Sequence, residues 1–188
     1  MSRPPWILDE MKREVFVVTT ASEPHPSGMI ITWIAPAGLI PDQKRVMMAL
    51  SPTNHTTQVI LGSAHKRMGV HLLSKQQANL VPLFGGQSSR TVNKFETVDY
   101  VMQDDGIPIL SNCCGWFLAK VVHTMDTGDR IIVIADIEKE EAEENQDPLH
   151  LGELGDLLPS TDNAALGSKF EADIVRDRGM RADFDGRT

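Results

Sequence analysis

A chain of 188 residues with 26 acidic and 18 basic side chains carries a formal net charge of -8, the wrong sign for a general nucleic-acid binder, whose affinity comes from Lys and Arg on phosphates. Its length suits one domain with a substantial core, and 41% hydrophobic with 23% charged residues excludes wholesale disorder and fibrous repeats. The longest apolar run, GMIITWIAPAGLIP, holds two prolines and falls short of the roughly 20 residues of a membrane-spanning helix.

In chain order, MSRPPWILDEMKRE shows no apolar core ahead of its charges, so export is not expected and a cytoplasmic location is. A helical turn is predicted over residues 7–13. EVFVVTTA then reads as a strand ending in the hydroxyls of Thr19 and Thr20, and EPHPSG as a turn. MIITWIA is β-rich and too apolar on both faces for a sheet with one wet side. RVMMALS is a third strand, and SPTNHTTQVILG a short helix capped by Thr53 or Asn54.

RMGVHLLS continues the strands, and Ser74 followed by Gln77 marks a capping box opening a second helix. CGWFLAKVVHTMD and RIIVIADIE flank TGD as a long hairpin. The acidic EKEEAEENQD is expected to be a solvated helix or loop. Five or six strands with short helices between them predict a mainly β protein, a small barrel over residues 1–150, with a peripheral arm over 151–188.

Cys113 and Cys114 are adjacent, and a disulfide between neighbours would be strained, so reduced thiols are expected. With no spaced Cys pair and no HExxH, no metal site is expected. His71 and His123, each inside an apolar strand, read as packed. The chemistry concentrates in FGGQSSRTVNKF, residues 84–95. Its glycines let backbone N–H groups approach a ligand, Arg90 offers a planar fork and Lys94 a point charge, a combination suited to a terminal phosphate. No Gly-Lys-Ser/Thr follows, so it is not a Walker loop. The start of the SPTNHTTQVILG helix, with free N–H groups and hydroxyls, is a second candidate anion site.

The succession FVVTT, SGMIITWIAP, SPTNHTTQVI, MGVHLLS, FGGQSSRTVNKF and HTMDTGDRIIVIADI resembles the flavin reductase-like family of FMN-binding split barrels, nearest its flavoredoxin-like branch. The resemblance covers about residues 14–138. It implies a homodimer of six-stranded Greek-key barrels that binds FMN near the subunit interface. Carried over position by position, Thr32, Trp33 and Ile34 would run beside the isoalloxazine ring. Ser51, Asn54, His55 and Thr56 would meet the ribityl chain and phosphate, and Ser88, Arg90 and Lys94 would close over the phosphate. The chain departs from the family pattern at Gly128-Asp129-Arg130, where Gly-Asp-His is common.

The activity implied is an NAD(P)H-dependent flavin reductase, an oxidoreductase in which hydride passes from NADH or NADPH to FMN. The cofactor performs that chemistry, so no separate catalytic residue is expected. The alternative is an FMN electron carrier reduced by a redox partner protein, with the acidic EKEEAEEN as a steering surface. A nucleic-acid-binding barrel fits poorly, because aromatics are only 5% of the chain and stacking platforms are scarce.

Overall fold

The computed structural model describes residues 7–103 and 105–187. A 3-10 turn at Ile7–Glu10 precedes β1 (Phe16–Thr20), β2 (Ser27–Ile31), β3 (Ile34–Pro36), β4 (Arg45–Leu50), α1 (His55–Gly62) and β5 (Arg67–Leu72). Then come β6 (Tyr100–Met102), β7 (Pro108–Leu110), β8 (Gly115–Asp126), β9 (Ile131–Ala142), α2 (Leu154–Leu157) and α3 (Ser160–Asp185). The main sheet runs β2-β1-β5-β8-β9-β4-β3, antiparallel throughout, and β6 pairs with β7 apart from it.

The main sheet therefore holds seven strands rather than the expected six, because MIITWIA is not one strand. It breaks at Thr32 and Trp33, and its two halves become β2 and β3, the two outer edges of the sheet. Two residues of chain reach only about 10 Å. The edges must lie close together, so the sheet curls into a half-barrel whose seam is crossed by Thr32 and Trp33. Bulges in β8 at Leu118/Ala119 and Val121/His123 add to the bend. The second bulge also turns His123 out to solvent, contrary to the packed position expected for it.

Two apolar clusters sandwich the sheet. Inside the curl lie Val18, Met48, Leu50, Val70, Ala119 and Val133, and on the other side Val15, Val17, Leu73, Phe84, Phe95 and Leu149. β1 is thus covered on both faces, with Val17 and Val18 pointing to opposite cores. Thr19 and Thr20 are buried and structural, their hydroxyls donating to the carbonyls of Pro108 at 2.7 Å and Arg67 at 3.0 Å.

The expected second helix is replaced by a 3-10 turn at Lys75–Gln77 and a π turn at Pro82–Gly86. Pro82 has no N–H to offer, which prevents a regular helix from running through it. Gln77 still reaches back, its side-chain oxygen accepting the Ser74 N–H at 3.2 Å. The acidic run at Glu138 continues β9 to Ala142 instead of leaving the sheet, since the outer half of β8 stays paired with it. Its carboxylates point to solvent, Glu140 onto Lys44 and Glu138 onto Arg67 at 2.6 Å. Cys113 and Cys114 are both free and buried.

His71 is fully buried in β5, its Nδ1–H donating to the Val17 carbonyl at 3.0 Å, while its Nε2 has no partner among the described residues. Burial holds its pKa down to about 4. Between that value and the ordinary 6.5 the unfolded chain takes up a proton that the folded chain refuses, so stability falls as pH drops through this window. The loss from this group is on the order of 3 kcal/mol. Urea unfolding of wild type and His71→Asn from neutral pH to about pH 4 should show a shallower acid decline in the variant; parallel declines would contradict this account.

Candidate functional site

A cavity of about 1030 Å³ lies along the seam of the half-barrel. Its walls are β2 and the crossover, the end of β4 with the start of α1, residues 84–89, the tip of the β8–β9 hairpin, and α3. Of the residues expected from sequence, Thr32, Trp33, Ser51 and Asn54 line it, as do His55, Thr56, Ser88 and Lys94. Ile34 does not; it packs onto the core inside the curl. Arg90 does not either, and instead lines a second, 390 Å³ cavity on the far side of the loop, with His55 and Ser89 common to both.

The loop is fastened to the free edge of β2 at a single peptide. The Gly28 N–H donates to Ser89 Oγ at 3.2 Å, and its carbonyl accepts from Ser89 Oγ at 3.3 Å and Lys94 Nζ at 2.9 Å. Lys94 is turned inward, 2% exposed, and gives a second bond to the Phe84 carbonyl at 3.1 Å. Burial, and then Lys169, lowers its pKa to about 8, which leaves it charged at neutral pH. Ser88 is exposed, and its hydroxyl accepts the Arg90 N–H at 3.3 Å. Phe84, Phe95 and Tyr100 meet edge to face at 5.5 and 5.4 Å and anchor the ends of the loop in the outer core.

Asn54 occupies the cap position of α1 with extended backbone, but no side chain caps the helix. Its amide is drawn to Met29 Sδ at 3.4 Å, and the buried Thr56 hydroxyl pairs with Ser27 at 2.9 Å. Ser51 pairs with Thr53 at 3.0 Å. Arg90 Nε donates to His55 Nδ1 at 3.3 Å and another of its nitrogens bonds Gln58. Burial lowers the His55 pKa, and Arg90 and Lys94 add to the effect, so the ring is the neutral acceptor that this bond requires.

The wall that the sequence reading missed is α3. Its residues Leu166, Lys169, Asp173, Asp177 and Arg181, spaced three and four apart, all face the cavity. The hairpin tip grips it: Arg130 reaches Asp177 at 2.6 Å, Arg181 reaches Asp129 at 2.9 Å, and Phe184 sits against Gly128. Gly128 has φ +90°, and a Cβ there would come within 2.7 Å of Phe184 Cβ. Arg130 also stacks over Trp33 at 5.1 Å, so Trp33 is 41% exposed and a cavity wall rather than core. The signal that could have revealed α3 is Lys169, Asp173 and Arg176 at helical spacing, which do pair at 2.9 and 2.6 Å. Among the described residues no cluster of His, Cys, Asp or Glu could hold a metal, and no helix is long and apolar enough to cross a membrane.

Residues 8–154 match the model of the flavin reductase like domain. The chain belongs to that family. FMN reductase (NADH) SmoA of Agrobacterium fabrum is 25% identical over 135 residues, 72% of either chain. A probable flavin reductase of Rhizobium meliloti is 28% identical over 120 residues, which are 62% of this chain and 36% of that longer one. Among solved structures, the NADH:FAD oxidoreductase SgcE6 of Streptomyces globisporus superposes with a TM-score of 0.67 at 17% identity, covering 76% of this chain and 82% of its own. An FMN-binding protein from Thermus thermophilus does so at 0.65 and 20%, covering 77% and 79%. These likenesses are of fold. In this flavin reductase-like chain α3 begins after the matched stretch ends.

Gly28→Ala tests the fastening. A Cβ there would stand 2.7 Å from Phe84 Cε1 and 3.3 Å from the Val18 carbonyl, so the ring and the loop behind it must move. We expect a loss of about 1–3 kcal/mol in denaturant unfolding and faster hydrogen exchange across residues 84–94. Unchanged exchange would refute the role of this peptide.

Proposed function

We propose that the chain is a flavin reductase that uses NADH or NADPH to reduce FMN. The observation that carries this reading is the convergence of the uncapped start of α1 and the Gly-Gly-Gln-Ser-Ser segment on one cavity whose floor is apolar β2. The donor set suits a flavin mononucleotide: backbone N–H groups, small hydroxyls and cations at one end, and Met29, Ile31, Leu50 and Trp33 for a flat apolar body at the other. Accepting hydride is the chemistry that the flavin itself supplies, so the protein needs to bind, orient and shield rather than to offer a base. Ser88, Thr53 and the first turn of α1 would hold the ribityl and phosphate. Arg90, held beside His55, would supply charge from behind, and Lys94 would act by fixing the loop. The names of relatives that reduce FMN with NADH or bind FMN support this reading.

Purified protein should oxidise NADH or NADPH when FMN is added. Arg90→Ala should raise KM for FMN by less than about tenfold, as suits a charge acting across the loop rather than in contact, and leave riboflavin unaffected. Equal losses for both flavins would remove Arg90 from phosphate binding. No oxidation with any flavin, in protein that copurifies yellow, would favour the electron carrier instead.

We also propose a homodimer. Met47 and Ile134 on the outward face of β4 and β9 stand in register, as do Ala49, Ile132 and Met125 one pair along. Met47 and Met125 are 42% and 56% exposed, and Trp33 and Ala49 join this face to the cavity. Sedimentation equilibrium should give twice the 20.8 kDa chain mass, reduced toward one chain by Met47→Asp. A wild-type monomer would exclude the dimer.

A further inference from the structure

The cavity is electropositive in an acidic protein. Seven Lys and Arg residues line it against three Asp, while the chain as a whole carries -8. Four of the seven, Lys169, Arg176, Arg178 and Arg181, come from α3. A helix packed on a domain normally turns its apolar stripe inward and its charges to solvent. α3 does turn Leu166, Phe170 and Ile174 to the cavity, but six charged residues share that lining with them, while Val175 is 73% exposed. Charges gathered on the wall of a cavity call for partners, either within the protein or on a ligand.

Most of these charges are matched within the protein. Lys169 pairs with Asp173 at 2.9 Å, Arg176 with Asp173 and Asp177 at 2.6 Å, Arg130 with Asp177 and Arg181 with Asp129. Arg178 is different: it lines the cavity and makes no ion pair or hydrogen bond among the described residues. Arg181 has one partner and a side chain 59% exposed, leaving donors of its fork free. The two lie three residues apart on one helix, neighbours on its surface. Arg181 stands at the hairpin tip, on Asp129, whereas the loop and the start of α1 bring their own donors to the cavity from beside β2 and after β4. At about 1030 Å³ the cavity is at the top of the roughly 300–1,000 Å³ usual for small-molecule sites.

We infer that Arg178 and Arg181 form a second phosphate-reading wall, which takes the diphosphate bridge of a dinucleotide. This rests on the flavin reading for the first occupant of the cavity. The diphosphate can come from two sources, the adenylate half of a reduced pyridine nucleotide or that of FAD, and the shared chemistry is a bridged pair of phosphates set against a guanidinium fork. No residue of this wall lies in the matched family stretch, so it is a property of this chain's own C-terminal helix.

The test is calorimetric titration of wild type and Arg178→Gln with FMN, FAD and ADP-ribose. Arg178 has no internal contact to lose, so the variant should fold as wild type does, which thermal unfolding checks. Affinity for ADP-ribose, FAD or both should fall roughly tenfold to a hundredfold, with FMN unchanged within about twofold. A loss confined to ADP-ribose identifies the pyridine nucleotide as the source, and a loss confined to FAD identifies the flavin. Equal loss for FMN, or no loss for either diphosphate, overturns the inference. If FMN binds neither protein, the flavin reading fails by itself, and the wall is still judged: Arg178-dependent ADP-ribose binding upholds it and its absence overturns it.

Discussion

One peptide, that of Gly28, holds the candidate site in shape. β2 is an edge strand, and an open edge presents N–H and C=O groups that some other chain could take up. Here they are taken by the protein's own loop, through Ser89 and Lys94. The arrangement needs glycine, because the Phe84 ring occupies the space a Cβ would claim. Two opposing terms meet at Lys94. Burial disfavours its charge enough to bring the pKa to about 8, and two carbonyl acceptors offset part of that cost. Since about 8 remains above neutrality, the ammonium persists and the loop stays fastened with its glycines toward the cavity.

The position of the cavity follows from the break at Thr32 and Trp33. A continuous strand there would have left the sheet open and flat. Because the run passes from one edge of the sheet to the other, the barrel has a seam, and the seam is where backbone and side chains of both edges face a common space. The start of α1, directly after β4, opens onto the same space. The cavity is therefore a consequence of topology, and the loop and α3 only complete its walls.

Where local pattern and local structure agree, the fold could be read from sequence: the β8–β9 hairpin around Thr127-Gly128-Asp129 and the strand of FVVTT are examples. The break inside MIITWIA could not be, since both halves have the same β-branched and apolar character and only the three-dimensional closure separates them. Charge alone predicts that Glu138–Ala142 leaves the sheet, although an outward-facing strand tolerates carboxylates when its partner strand continues. Eight of the ten predicted site residues reach the cavity because they flank the seam or the loop. Ile34 misses it through strand alternation, which points it into the core. Lys94 reaches it as a fastener, since nothing in a sequence fixes the direction of a four-carbon side chain. α3 is missing from the sequence reading because charged residues share its inward side with Leu166, Phe170 and Ile174, and so thin an apolar stripe does not look like a packing surface.

That charged face also decides how α3 is held. Exposed ion pairs such as Lys169–Asp173 are worth about 0–1 kcal/mol and are screened by salt. Asp177 is another matter: it is the one buried residue of the helix, and two guanidiniums, from Arg130 and Arg176, converge on it at 2.6 Å. Removing one of the two leaves a buried carboxylate with a single counter-ion, which costs more than losing a surface pair. The seat of α3 thus depends chiefly on the contact between Asp177 and Arg130, with Leu166 and Phe184 as apolar supports on either side. Arg130 is shared, since its guanidinium also lies over the Trp33 ring. The residue that crosses the seam and the helix that covers it are consequently held by one side chain, so a shift in either changes the same wall of the cavity.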